Sequence, residues 1–155
     1  MALTPREVFL KLVWGVSEGR WDELPELYAD QTCVEHPFSP SGCSTQVEHP
    51  FSPSGDKPLR TRQALREHFS AGKHLPPLRQ QPANIIVHET TDPEVIVAEF
   101  EYQGTAGNGE SFRVPCVFVM RVRDGRIVAS RDYIDHISSA RRRGLLNELI
   151  DTIRS

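Results

Sequence analysis

The four residues Arg123-Asp124-Gly125-Arg126 restrict this chain's fold more than any other stretch, because each side carries a long run of alternating residues. Asp-Gly between such runs is a strong hairpin signal, since glycine accepts the positive φ of a tight turn. The runs extend from Ser111 to Val122 and from Ile127 to His136. On the first, the period-2 rule puts Phe112, Val114, Cys116, Phe118, Met120 and Val122 on one face. Val117, Val119, Ile127 and Ala129 are expected on the other. The second strand ends in Arg131-Asp132-Tyr133-Ile134-Asp135, where charge interrupts a run that should be core. An acid on the inner face of a half-buried strand needs a reason, so Asp132 is the leading candidate functional residue.

The 155 residues suit a single domain with a sizeable core. A formal net charge of −3 and no basic face argue against nucleic acid as a partner. Arg141-Arg142-Arg143 reads as a solvated helix end. No apolar run approaches membrane-spanning length, and the opening MALTPREVF lacks a leader pattern. Cys33, Cys43 and Cys116 form neither a metal-ligand spacing nor an even disulfide set, so a reducing cytoplasm is expected.

From the N-terminus, Thr4, Pro5 and Glu7 form a helix start with a capping box, and Val8, Phe9, Leu12, Val13 and Val16 follow at helical spacing. Gly19 ends that helix, and WDELPELYAD reads as a second. Val34-Glu35-His36-Pro37-Phe38-Ser39-Pro40-Ser41-Gly42 then recurs unchanged as residues 47–55, a period of thirteen. Two copies are too few for a solenoid, so this is a local duplication, natural or engineered. Only one copy fits in a sheet. The first is expected there because residues 30–33 tie it directly to the preceding helix, with the second forming a loop near a cavity mouth. Thr61 caps a third helix with Leu65, His68 and Phe69 on its buried side. Strands are expected over 83–89 and 95–103 and in the long hairpin. A helical tail over 138–155 follows, starting at Ser138-Ser139.

Helices followed by a meander give an α+β fold, a curved antiparallel sheet wrapped around an N-terminal helical layer. In Asp124-Gly125-Arg126-Ile127-Val128, Arg131-Asp132-Tyr133-Ile134-Asp135 and the Glu-His-Pro-Phe unit, the chain resembles the nuclear-transport-factor-2-like superfamily. The resemblance is to its SnoaL-like and limonene-epoxide-hydrolase-like branch, related to ketosteroid isomerase. It implies a single cone-shaped domain over residues 1–155 with an apolar cavity, and a homodimer through the outer sheet face. It also implies an apolar small-molecule ligand, while acid/base chemistry of this kind needs no cofactor and the two Glu-His units match no metal-ligand spacing.

For the site, the resemblance implies an acid or base role for Asp132. It puts a carboxylate, Glu101, where the epoxide hydrolases have a second aspartate. It puts Glu99 where they have an arginine, which removes a bridging cation and argues against epoxide hydrolysis itself. A polar slot on the first strand falls to His36 or His49. Physics supports such a pair independently, because an apolar surround raises a carboxylate's pKa towards neutrality and a histidine can hold the complementary proton state. The plainer readings are a structural pair of Asp132 with Arg131 or another basic group, solvated edge residues at Glu99 and Glu101, and polar strand-end or loop histidines. Trp14, Phe38, Phe51, Phe69, Phe112, Phe118 and Met120 are candidate cavity walls, and Tyr133 alternates outward towards a subunit interface. The expected function is a cofactor-independent acid/base enzyme of isomerase, cyclase, dehydratase or hydrolase type. The alternatives are a non-catalytic binding protein and an engineered scaffold with a duplicated loop.

Overall fold

The computed structural model describes residues 1–36, 59–75 and 78–154. Helix α1, Pro5–Glu18, starts with the expected capping box: the Glu7 amide donates to Thr4 Oγ1 at 3.3 Å and the Thr4 amide to Glu7 Oε2 at 2.8 Å. Gly19 closes it at φ 68°. The expected second helix is a single 3-10 turn, Leu24–Leu27. Pro25 supplies no N–H, and Tyr28 is already extended and bridged to Ile127, so the backbone leaves for the sheet after one turn. Helix α2, Arg62–Gly72, is capped by Thr61, whose Oγ1 accepts from the Ala64 amide at 3.1 Å.

Strands β1 Gln31–Glu35, β2 Leu59–Thr61, β3 Arg79–Glu89, β4 Val95–Thr105, β5 Ser111–Arg123 and β6 Arg126–Ile134 form one sheet in the order β2-β1-β6-β5-β4-β3. The pairing of β1 with β6 is parallel, so the sheet is mixed where an antiparallel one was expected. The chain reaches β1 from the helical layer rather than through a hairpin, so it runs alongside β6. Residues Val34 and Glu35 of the first repeat copy pair with Ser130 and Arg131. The second copy, with His49 and Phe51, and also Phe38 of the first, lie outside the described residues.

Asp124 and Gly125 take φ of 51° and 75° in the β5–β6 turn. The register shifts between Arg121/Ala129 and Val122/Ile127, leaving Val128 as the extra residue of a bulge. That shift turns Ile127 inward to full burial, so it does not share the outer face expected for it with Val117, Val119 and Ala129.

The inner face carries Ala98, Phe100, Tyr102, Val114, Cys116, Phe118, Met120 and Val122, all buried. Helix α1 lays Val8, Phe9, Leu12 and Val13 against it. Phe9, Phe100 and Phe118 meet edge to face, with centroids 5.0–6.4 Å apart, a geometry that adds to their area burial. The tail is two helices rather than one: α3, His136–Arg143, and α4, Leu146–Arg154, separated by Gly144 at φ 71°. Asp135, not Ser138-Ser139, caps α3, accepting from the Ser138 amide at 3.0 Å. With its cap one residue past β6, α3 turns back against β5.

Candidate functional site

Between the inner face, α1, α2 and α3 lies a cavity of about 230 Å³. Its walls are largely apolar: Leu12, Val16, Trp21, Val34, Leu59, Leu65, Phe69, Leu75, Phe118 and Ile134. Gly72 packs closely on the Trp21 ring, where an added Cβ would lie 3.2 Å away. Into this surround project Asp132, His36, His68, Tyr28, Tyr102, His136, Ser139, Arg142 and Arg143.

Asp132 pairs with Phe118 across β5–β6, which puts it on the inner face with Ala98 and Phe118. It is 6% exposed. Ser130, two residues earlier on the same face, donates its hydroxyl to Asp132 Oδ1. His36, just past the end of β1, brings Nε2 to 3.7 Å from Oδ2. Removal from water raises the Asp132 pKa to about 7, against the opposing pull of the Ser130 hydrogen bond. Arg131 lies on the opposite face of β6 and forms no ion pair with Asp132 among the described residues, so the structural pairing of neighbours does not occur.

His68 on α2 stacks on His36 with ring centroids 6.1 Å apart, and packs edge-on against Phe69 at 5.1 Å. His136, the first residue of α3, follows Asp132 and Ile134 in alternation. Its Nε2 is buried without a hydrogen-bond partner among the described residues, and burial lowers its pKa, which keeps the ring neutral. Burial holds the phenols of Tyr28 and Tyr102 protonated well beyond neutral pH. They therefore enter chemistry only as hydrogen-bond partners.

Glu101 is placed elsewhere. It pairs with Pro115 on the face opposite Phe100 and Cys116, so it points out of the cone. Arg113 donates to it through Nε at 3.0 Å and Nη2 at 2.8 Å, and Asn84 and Gln103 donate as well. These partners hold its carboxyl below the usual range, the Arg113 bond most of all. Glu99, on the same outer face, contacts His88 Nε2 at 2.6 Å. Of the expected walls, Phe69 and Phe118 line the cavity. Met120 is fully buried core, and Trp14, 40% exposed, sits on the solvent side of α1. Phe112 lies beyond the cavity, under Arg142.

Sequence reasoning did not assign His68, His136, Tyr28, Tyr102, Trp21, Arg142 or Arg143 to the site. The alternation Asp132-Ile134-His136 was a usable signal for one of them. Among the described residues no group of three or more His, Cys, Asp or Glu is placed to hold a metal ion, and no helix is long and apolar enough to cross a membrane.

A family profile described as a SnoaL-like domain matches residues 10–130. No curated protein matches the chain. Among solved structures, a candidate isomerase from Bacillus subtilis superposes with a TM-score of 0.71 at 21% identity, covering 91% of this chain and 93% of that one. IdmH, a candidate polyketide cyclase from Streptomyces antibioticus, gives 0.62 at 21%, covering 90% and 98%. SalBIII, an epoxide hydrolase/cyclase-like enzyme with a role in pyran ring formation in the polyether salinomycin, gives 0.59 at 16%, covering 86% and 92%. At these identities the likeness is one of fold, a curved open sheet around helices. With its family profile spanning most of its length, the chain belongs to the SnoaL-like family, within the nuclear-transport-factor-2-like superfamily.

Proposed function

We propose that the protein is a cofactor-independent acid/base enzyme that moves a proton next to a carbonyl of a small, mainly apolar molecule, as an isomerase or cyclase does. The observation that carries this reading is Asp132: a carboxyl buried in an apolar cavity, with a pKa of about 7 and a histidine at 3.7 Å. A group poised there has both proton states populated at neutral pH, where general catalysis works best. Asp132 Oδ2 takes the proton from the carbon beside the carbonyl, leaving an enolate. Returning that proton to another carbon completes an isomerisation. In a cyclisation the enolate carbon instead attacks a second carbonyl of the same molecule, and the new alkoxide takes the proton from Asp132. Tyr102 and the neutral His136 are the donors available to the enolate oxygen. Support also comes from the small-molecule ligands of the SnoaL-like family and from neighbours whose names are isomerase and cyclase.

The test is exchange of the α-hydrogens of 1-tetralone into deuterated buffer, followed by proton NMR. The wild-type protein is expected to accelerate exchange over buffer, and Asp132→Asn to lose on the order of 10² to 10⁴ of that acceleration. Undiminished exchange in the variant would overturn the assignment.

A homodimer through the outer sheet face belongs to the same proposal. Val97, Val119, Val117 and Tyr133 form an apolar patch there, half-buried in one copy, with Glu99 and Arg131 in the same cross-strand rows and a 55% exposed Ile86 beyond Glu99. Light scattering at micromolar concentration is expected to give twice the chain mass, and a monomer would reject it.

A further inference from the structure

Helix α3 ends in Arg141-Arg142-Arg143, a position where cations complement the helix dipole from solvent. Two of the three do something else. Arg142 and Arg143 turn into the cavity and line it together with Asp132. Among the described residues neither has a carboxylate within ion-pair distance. Arg142 is held in place, not free: Nη1 donates to Gln80 Oε1 at 2.6 Å and Nη2 to Ser139 Oγ at 3.4 Å, and its guanidinium carbon lies 5.8 Å from the Tyr102 centroid and 5.6 Å from that of Phe112. Its Nε is buried with no hydrogen-bond partner among the described residues. Burial lowers the pKa of Arg142, and burial with the neighbouring Arg142 charge brings Arg143 down to about 10.

Two half-buried cations side by side on a largely apolar wall, with no carboxylate at ion-pair distance among the described residues, are unfavourable, and such a pair is retained when something neutralises it. The planar fork of a guanidinium matches a carboxylate with two parallel hydrogen bonds, and Arg142 and Arg143 bring two such forks to one cavity wall. We propose that the substrate is an amphipathic carboxylic acid, its carboxylate docked on Arg142 and Arg143 and its apolar body lying along the cavity to Asp132. This names the substrate class for the proton-transfer reading above and rests on it for what happens at Asp132. The docking itself does not depend on any reaction. It also gives α3 a purpose: capped one residue past β6, the helix brings two guanidinium groups to a site whose remaining walls are mostly hydrocarbon.

The experiment is calorimetric titration of the wild-type protein with two probes sharing one apolar body, 1-naphthylacetate and the neutral 1-naphthaleneethanol. The acid is expected to bind at least about tenfold more tightly, the usual worth of a hydrogen-bonded charge pair in a dry site. Arg143→Met, which keeps the stem and disturbs no hydrogen bond described above, should remove most of that preference while leaving alcohol binding within about twofold. Arg142→Met should remove it as well, with circular dichroism and melting temperature checking that α3 stays docked. Equal binding of acid and alcohol, or failure of both to bind, would overturn the proposal. The Asp132→Asn variant separates this from the proton-transfer reading: it should keep the acid preference and lose α-hydrogen exchange. If exchange survives in Asp132→Asn while the acid preference holds, the catalytic reading fails and the docking stands.

Discussion

Asp132 and Glu101 are two carboxylates on neighbouring parts of one sheet, each 6% exposed, and the structure gives them opposite characters. Asp132 faces the cavity, meets no permanent cation, and has its pKa raised to about 7 by burial. Glu101 faces outward, where Arg113 grips both of its oxygens and holds its pKa below the usual range. Equal burial therefore does not make equal chemistry. What differs is the surround and the partner: apolar walls hold Asp132 close to its ionisation point against the pull of the Ser130 hydroxyl, whereas a guanidinium fixes Glu101 in its charged form on the outer face.

The largest effect expected from breaking this contrast is catalytic. Asp132→Asn should lose on the order of 10² to 10⁴ in α-hydrogen exchange, and Glu101→Gln should lose none, both measured on 1-tetralone. The next is thermodynamic. Moving a carboxyl from 3.8 unfolded to about 7 folded corresponds to about 4 kcal/mol. Between those values the unfolded chain has released a proton that the native state keeps, so rising pH favours unfolding. This contribution is intact below about pH 4 and is lost by about pH 7. Denaturant melts of wild type and Asp132→Asn from pH 4 to 8 isolate it, because other titrating groups cancel in the difference. The variant should gain on the wild type as pH rises, and a flat difference would show that Asp132 is not desolvated. A smaller change is expected at His36. Its Nε2 lies 3.7 Å from Asp132, beyond a hydrogen bond, so it assists rather than carries the transfer. His36→Asn should slow exchange on the order of tenfold, less than the loss at Asp132.

How much of this was legible in the sequence follows from which signals are local. The Asp124-Gly125 turn, the Thr4 capping box and the period-2 faces of β5 are written in neighbouring residues, and each appears where the sequence puts it. The face of Asp132 came from the same rule. Glu101 became a candidate through the resemblance, whereas the period-2 rule that puts Ile96, Ala98, Phe100 and Tyr102 on the apolar face of β4 sets Glu101 on the other, where it pairs with Pro115 and meets Arg113. The bulge that turns Ile127 inward adds one residue to β6, and nothing in Arg126-Ile127-Val128 announces it. The parallel pairing of β1 with β6 and the fold of α3 over the cavity are long-range events. Arg142 and Arg143 looked like a solvated helix end because, in sequence, nothing distinguishes an arginine that reaches water from one that reaches a cavity.

The smallest expected effect is also the sharpest check on the two faces. Glu101→Gln replaces one acceptor oxygen with an amide that points donors at Arg113, Asn84 and Gln103, themselves donors. The cost is expected to be about 1 kcal/mol rather than more, because Arg113 is 68% exposed and water takes up part of what it loses. Its sign with pH is the reverse of that at Asp132. A depressed native pKa means that the unfolded chain binds the proton first as pH falls, so the stability contributed by Glu101 is present above its unfolded pKa and is lost in acid. The difference in melting stability between wild type and Glu101→Gln should therefore be full at pH 7 and shrink below about pH 4. The corresponding difference for Asp132→Asn should run the other way. A Glu101→Gln variant of unchanged stability that no longer exchanged α-hydrogens would put Glu101 on the cavity side and undo the assignment of the two faces.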